Sequence, residues 1–338
     1  MAAARRCSTM IRAKRPVPDG VVVVTGASSG IGRATARAFA ERGADLVLAA
    51  RSEQGLQETA RECERRGGTA LVVPTDVGDE DAVRALARAA VARFGRIDAW
   101  INNASVLSYG TFEQTPSEVF RQVVQTNLFG QVHGARAVLP QFRAQGVGVL
   151  VNVASLYGRM GSPYLSPYVT SKFGLVGFSE VLRQELHGSD GIDVCTVLPG
   201  SFDTPIYRQA ANYTGREAGP VPPVGDPTRV AAAIVGAVER PRREIVVGRA
   251  HQAASWAHVV LPWLYDRAVG PVMDQAALRR GRASAGAGTV FAPWPEDNAV
   301  SGEWRQARRR LLVRVAVVVG AAAAGVTAWK SAAGRRRR

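Results

Sequence analysis

Short β-branched and aliphatic runs alternate along the chain with longer stretches in which apolar residues recur every three to four positions. The runs are Val21–Val24, Asp45–Ala49, Ala70–Val73, Ala99–Asn102, Val149–Val153, Asp193–Leu198 and Glu244–Val247. Between them lie Ile31–Arg42, Glu53–Arg66, Glu80–Phe94, Ser117–Gln141, Ser171–His187 and Pro227–Glu239. This alternation predicts strand–helix units around a parallel sheet. Several of the strands are continuously apolar, as required when helices cover both faces. The expected fold is therefore α/β, a doubly wound parallel seven-stranded sheet of the Rossmann type over residues 18–250, followed by a C-terminal extension.

After residue 250 the pattern changes. Residues 251–279 form an apolar, aromatic helical segment carrying Trp256, Trp263, Leu264 and Tyr265. These side chains either line an apolar substrate pocket or pack on the core as extra helices, and the second reading is favoured because aromatic stripes usually fill cores. Residues 280–304, rich in Gly, Ala, Ser and Pro, read as a linker. Residues 305–338 are an apolar tail with basic flanks. Its run 311–329 would reach about 28 Å as a helix, enough to cross a hydrocarbon core. Arg314 and the many Ala and Gly residues weaken that reading, and a soluble helix packed on a partner stands beside it. Basic residues on both flanks assign no orientation. An anchored protein would keep its sheet domain in the cytoplasm.

The formal net charge of +15 changes the picture only once it is located. Arg5, Arg6, Arg12, Lys14 and Arg15 crowd the first 20 residues, and nine arginines with Lys330 follow residue 300. The body between them is nearly neutral, so no nucleic acid partner is expected. Residues 1–17 read as a basic arm, without the apolar core of a secretory signal. Cys7, Cys63 and Cys195 are scattered, and the four histidines show no ligand spacing. Neither a metal site nor a disulfide framework is expected.

The first strand runs into Thr25-Gly26-Ala27-Ser28-Ser29-Gly30-Ile31-Gly32, and a helix follows. Glycines placed this way permit a tight turn, close approach of a pyrophosphate and close helix–strand packing, and the helix N-terminus offers free amides. Strand and helix flank the turn as dinucleotide binding requires. The second strand ends at Arg51, where an NAD site usually carries a carboxylate for the ribose 2′-hydroxyl. A guanidinium suits the 2′-phosphate of NADP instead, with Arg33 as a second contributor.

Tyr168 and Lys172 are four residues apart, on one face of a predicted helix. A phenol with a pKa of about 10 needs a nearby cation to do base work near neutrality. The chain has only three lysines, Lys14, Lys172 and Lys330, and only Lys172 falls within the predicted sheet domain.

With these motifs the chain resembles the short-chain dehydrogenase/reductase superfamily, in its single-domain oxidoreductase group. The matches run in order over residues 18–250: the glycine turn, Asp76 in Thr-Asp-Val, Asn102-Asn103-Ala104, Asn127, Ser155, Tyr168 with Lys172, and Pro199-Gly200 followed by Thr204. The resemblance implies adenine contacts at Asp76 and Val77, cofactor lining at Asn103 and Ala104, and a nicotinamide-side loop at Pro199, Gly200 and Thr204. It also implies a relay asparagine at Asn127, a substrate-binding serine at Ser155, and a mobile lid after Thr204. Gly26, Ser28, Ser29, Gly30, Ile31, Gly32 and Arg51, with Tyr168 and Lys172, complete the expected cofactor set. Ser105 departs from the pattern, which usually has glycine there.

The function so implied is an NADP(H)-dependent oxidoreductase that interconverts an apolar carbonyl and its alcohol, working as a homo-oligomer. Tyr168 is the acid/base and Lys172 lowers its pKa. A non-catalytic NADP(H)-binding sensor with a membrane- or partner-binding tail is the alternative. It would need only the glycine turn and not the catalytic set.

Overall fold

The computed structural model describes residues 20–305 apart from residue 190 and residues 295–297. The basic arm and the tail with its 311–329 run lie outside the described residues. Among the described residues no helix is long and apolar enough to cross a membrane.

All seven expected strands form one parallel sheet: β1 (Val21–Thr25), β2 (Asp45–Ala50), β3 (Thr69–Pro74), β4 (Ala99–Asn102), β5 (Gly148–Val153), β6 (Ile192–Pro199) and β7 (Glu244–Val247). Their spatial order is β7-β6-β5-β4-β1-β2-β3. The order reverses between β1 and β4, which opens a crevice at the carboxyl ends of those strands. In β1 the side chains alternate between two cores. Val22 and Val24 join Phe39 and Ile234 on one face, whereas Val21 and Val23 join Trp100 and Phe142 on the other. Both faces are dry because α1 (Gly30–Ala40), α2 (Glu53–Glu64) and α7 (Pro227–Glu239) cover one, and α3 (Glu80–Phe94), α5 (Gly130–Gln145) and α6 (Ser166–Glu185) the other. Local chemistry starts several of these helices: Asp79 accepts from the amides of Asp81 and Ala82, and Asp226 from that of Thr228.

The helix expected over Ser117–Gln141 is broken into α4 (Ser117–Val124), a π-helical turn over Gln125–Phe129, and α5. A π turn adds one residue to the spiral and turns the following side chains to a new face, often at a functional site. Here it carries Asn127.

The extension departs most from expectation. Helices α8 (Arg249–Val260) and α9 (Pro262–Val272) form, yet Trp256 and Trp263 are 65% and 68% exposed, so they neither fill the core nor line a pocket. Tyr265 alone of the named aromatics turns inward, donating to the Gly161 carbonyl. The described residues of the stretch 280–304, expected as a linker, pack back on the domain. The strand Leu278–Arg282 pairs antiparallel with Arg216–Ala218, and Val290 is fully buried beside Val119 and Val123. Polar and small composition reads as a linker from sequence, but here backbone hydrogen bonds, with Val290 as a single apolar anchor, fasten the segment.

Candidate active site

The glycine turn leaves β1 with Gly26 in the left-handed region at φ +65°. Gly32 lies so close under the turn that a Cβ would fall 2.1 Å from the Gly26 carbonyl oxygen. Asn103, just past β4, braces the turn by donating to the carbonyls of Thr25 and Gly26. The Thr25 hydroxyl accepts in return from the amides of Asn103 and Ala104.

A cleft opens above this turn. It encloses about 1230 Å³ of space open to solvent. Gly26, Ser28, Ser29, Gly30, Ile31, Arg51, Asp76, Val77, Asn103 and Ala104 line one part; Ser155, Tyr168, Lys172, Pro199, Gly200 and Thr204 line the other. Gly32 and Asn127 are not on its wall. Gly32 supports the turn from beneath. Asn127 is fully buried, donates to the Val106 carbonyl and the Ser171 hydroxyl, and accepts from the Val106 amide.

Three cleft features matter for a ligand. The first turn of α1 has amides that lack partners in their own helix. The Ser105 hydroxyl is buried at the wall with no hydrogen-bond partner among the described residues. The Arg51 guanidinium is partly buried, and its pKa is lowered by loss of hydration against a weaker pull from Asp76. Arg33, the other expected phosphate contact, is already engaged. It pairs with Glu58 and Glu62 and donates to the Asn298 carbonyl, which balances its charge.

Tyr168 enters in the first turn of α6, because the helix starts five residues earlier than its apolar period suggests. The Lys172 ammonium stands 5.5 Å from the centre of the Tyr168 ring, on the same helix face. It is 1% exposed and donates to the Val153 carbonyl at the end of β5. Burial brings its pKa down to about 7. Burial also pushes the Tyr168 phenol up to about 12, with a hydrogen bond to the Ser155 hydroxyl pulling the other way. In the free protein burial therefore outweighs the attraction expected between phenolate and ammonium.

Beyond Tyr168 lies a smaller chamber lined by Leu107, Tyr109, Ser155, Tyr157, Leu165, Ile206, Tyr207, Val221 and Met273. Its walls come from the segment after β4, from the region after Thr204, and from Met273 at the end of α9. Sequence reasoning missed Tyr109, Tyr207 and Met273, since nothing in their local pattern distinguishes them from core residues. The region after Thr204, expected as a mobile lid, is fastened to the extension. Arg216 donates to the carboxylate and carbonyl of Asp274 and to the Leu278 carbonyl.

A profile of the short chain dehydrogenase family matches residues 20–213. The chain belongs to this family. It is an oxidoreductase of the short-chain dehydrogenase type, and its seven-stranded sheet is the family's fold. An uncharacterized oxidoreductase, YxnA, of Bacillus subtilis is 35% identical, over 96% of this chain and 93% of that protein. The ketoacyl reductase HetN of Nostoc is 34% identical over 68% of this chain and 78% of its own length. Among solved structures, a short-chain dehydrogenase/reductase from Burkholderia phymatum in complex with NAD superposes with a TM-score of 0.67 at 28% identity, covering 74% of this chain and 96% of that one. An alcohol dehydrogenase from the archaeon Thermococcus sibiricus, complexed with 5-hydroxy-NADP, gives 0.59 at 26% identity, over 68% and 95%. Dehydrogenases of both dinucleotide types thus share the fold. Among the described residues no cluster of His, Cys, Asp or Glu could hold a metal.

Proposed function

We infer that this dehydrogenase reduces a carbonyl, or oxidises the corresponding alcohol, with NADP(H) as hydride partner. One observation supports the reading above all: the buried Lys172 ammonium 5.5 Å from the Tyr168 ring, where a dinucleotide-sized cleft meets a mostly apolar chamber. The residues fit the cofactor. The α1 amides beyond that of Gly30, which the Ala299 carbonyl takes, would meet the phosphates, and the partnerless Ser105 hydroxyl offers a further hydrogen bond to the cofactor. Arg51, with no carboxylate within ion-pair distance among the described residues, would take the 2′-phosphate.

NADPH supplies the hydride when bound. The chain's own residues handle the proton and the charge. Ser155 and Tyr168 hold the substrate oxygen between them. As the carbonyl carbon accepts the hydride, Tyr168 gives its phenolic proton to that oxygen and Ser155 donates a hydrogen bond to it. In the reverse direction Tyr168 takes the proton. Asn127 is a positioning residue, since its side chain pins the Val106 segment beneath the cleft. The chamber suits an apolar substrate, with Tyr109, Tyr157 and Tyr207 as walls. Exposed Phe129, Phe173 and Val181 on the helices of the α4–α6 face support pairing of copies there.

Arg51→Ser tests the cofactor choice. Loss of a charge-assisted bond to the 2′-phosphate weakens NADPH by about tenfold or more relative to NADH. An unchanged ratio of the two dissociation constants removes the preference for NADP.

Proton uptake tests the Lys172 assignment. With its pKa at about 7 in the free protein, Lys172 is mostly neutral at pH 8. Negative phosphates in the cleft raise that pKa, so binding near pH 8 takes up close to about one proton. Titration calorimetry in buffers of different ionisation enthalpy measures it, and Lys172→Met abolishes the uptake. Proton-neutral binding by the unmodified protein contradicts the assignment.

A further inference from the structure

The segment that ends the described chain follows the mouth of the cofactor cleft. At one end the carbonyls of Thr289 and Val290 accept from Arg51, at 2.5 and 3.1 Å. Pro293 and Trp294 then stand on the wall of the same cleft that Arg51 and Ser52 line. Further along, the Asn298 carbonyl accepts from Arg33, and its side chain lies against Gly55, where any Cβ would fall 2.6 Å from it. The Ala299 carbonyl takes the Gly30 amide at 3.0 Å. At the other end Ser301 and Trp304 bond the Asp203 carboxylate, and the Trp304 indole donates to the Thr204 carbonyl.

We propose that residues 289–294 and 298–304 form a clasp that is part of the cofactor site, covering the adenosine end and slowing dinucleotide release. The proposal rests on the dinucleotide reading above. Its physical basis is the choice of attachment points. Arg51 and Gly30 belong to the phosphate-binding apparatus, and Arg33 adjoins it. The clasp holds all three through main-chain carbonyls, which neutralise no charge. Arg51 uses one hydrogen on each terminal nitrogen for these bonds and keeps three of its five N–H groups for an anion. The cleft stays open beneath the segment, so clasp and ligand fit together. Trp294 is 45% exposed although it is apolar and planar. An adenine entering beside Arg51 would cover part of that indole and gain stacking.

The test uses the full-length protein. Bound NADPH and, in parallel, bound NADH are chased with excess oxidised dinucleotide in a stopped-flow fluorimeter. Trp294→Ala releases both at least about fivefold faster, because the lost stacking acts on the adenosine end they share. Its melting temperature stays that of the parent, since the indole is outside the core. In the unmodified protein, hydrogen exchange shows the amides of residues 289–294 and 298–304 slowed by dinucleotide. Release within twofold of the parent, or exchange in these residues indifferent to dinucleotide, overturns the clasp. Failure of the unmodified protein to bind either dinucleotide overturns the site reading itself, and is distinguishable because it is seen before any variant is made.

Discussion

Tyr168→Phe lowers turnover by on the order of a thousandfold and leaves NADPH affinity within about twofold of the parent. The ring remains, so its edge-to-face contact with Tyr157, centroids 6.4 Å apart, and the packing of α6 are kept. What disappears is the hydroxyl proposed to share the substrate oxygen with Ser155. Ser155 cannot replace it, because an aliphatic hydroxyl is a far weaker acid than a phenol. The pH dependence separates chemistry from structure. With the phenol pushed up to about 12 in the free protein, the neutral, proton-donating form prevails across the neutral range. Carbonyl reduction should therefore persist through the neutral range and fall as the phenol ionises, at a lower pH than in the free protein once bound dinucleotide has charged Lys172. Alcohol oxidation should rise with pH over the same range. Turnover of Tyr168→Phe within about tenfold of the parent would mean that another group moves the proton.

Gly32→Ala abolishes dinucleotide binding, with a loss of about a hundredfold or more in affinity. The new methyl would sit 2.1 Å from the Gly26 carbonyl oxygen and 2.6 Å from the Asn103 amide nitrogen. No flexible side-chain end can absorb the first clash, because the obstacle is backbone. The turn must lift away from α1, which breaks the Asn103 brace and misaims the amides that face the phosphates. Folding itself suffers less. The sheet and both apolar cores lie below the turn, so the variant should keep its circular dichroism and lose some thermal stability. Fluorescence titration with NADPH and a melting curve read the two effects separately. Binding within about threefold of the parent would show that the turn relaxes freely and that its tight packing is not what shapes the site.

Much of the site was legible because it obeys local rules. The glycine turn, Arg51 at the end of β2 and the Tyr168–Lys172 spacing each announce themselves in a few adjacent residues. The structure brings all of them to one cleft at the carboxyl ends of the strands. For Arg33 the sequence shows a cation near the turn but not that two glutamates of α2, Glu58 and Glu62, pair with it. The π turn at Asn127 was invisible for a similar reason. Its apolar period is helical throughout, and only packing against α6 and the Val106 segment selects the extra residue. Trp256 and Trp263 have the composition of core residues and lie at the surface.

By itself the sequence determined the strands of the sheet, the glycine turn and the Tyr168–Lys172 spacing. These depend on spacing within one element or across one turn. The tertiary structure alone decided the direction of the pKa shifts, because burial outweighs proximity in bringing Lys172 down to about 7 and pushing Tyr168 up to about 12. It alone also brought residues 289–294 and 298–304 back against the cleft, more than two hundred residues along the chain from the turn they touch. The bonds that hold them there are mostly between main-chain carbonyls and distant donors, and a main-chain carbonyl is the one group that every residue carries, so no pattern of side chains could have marked where they would form.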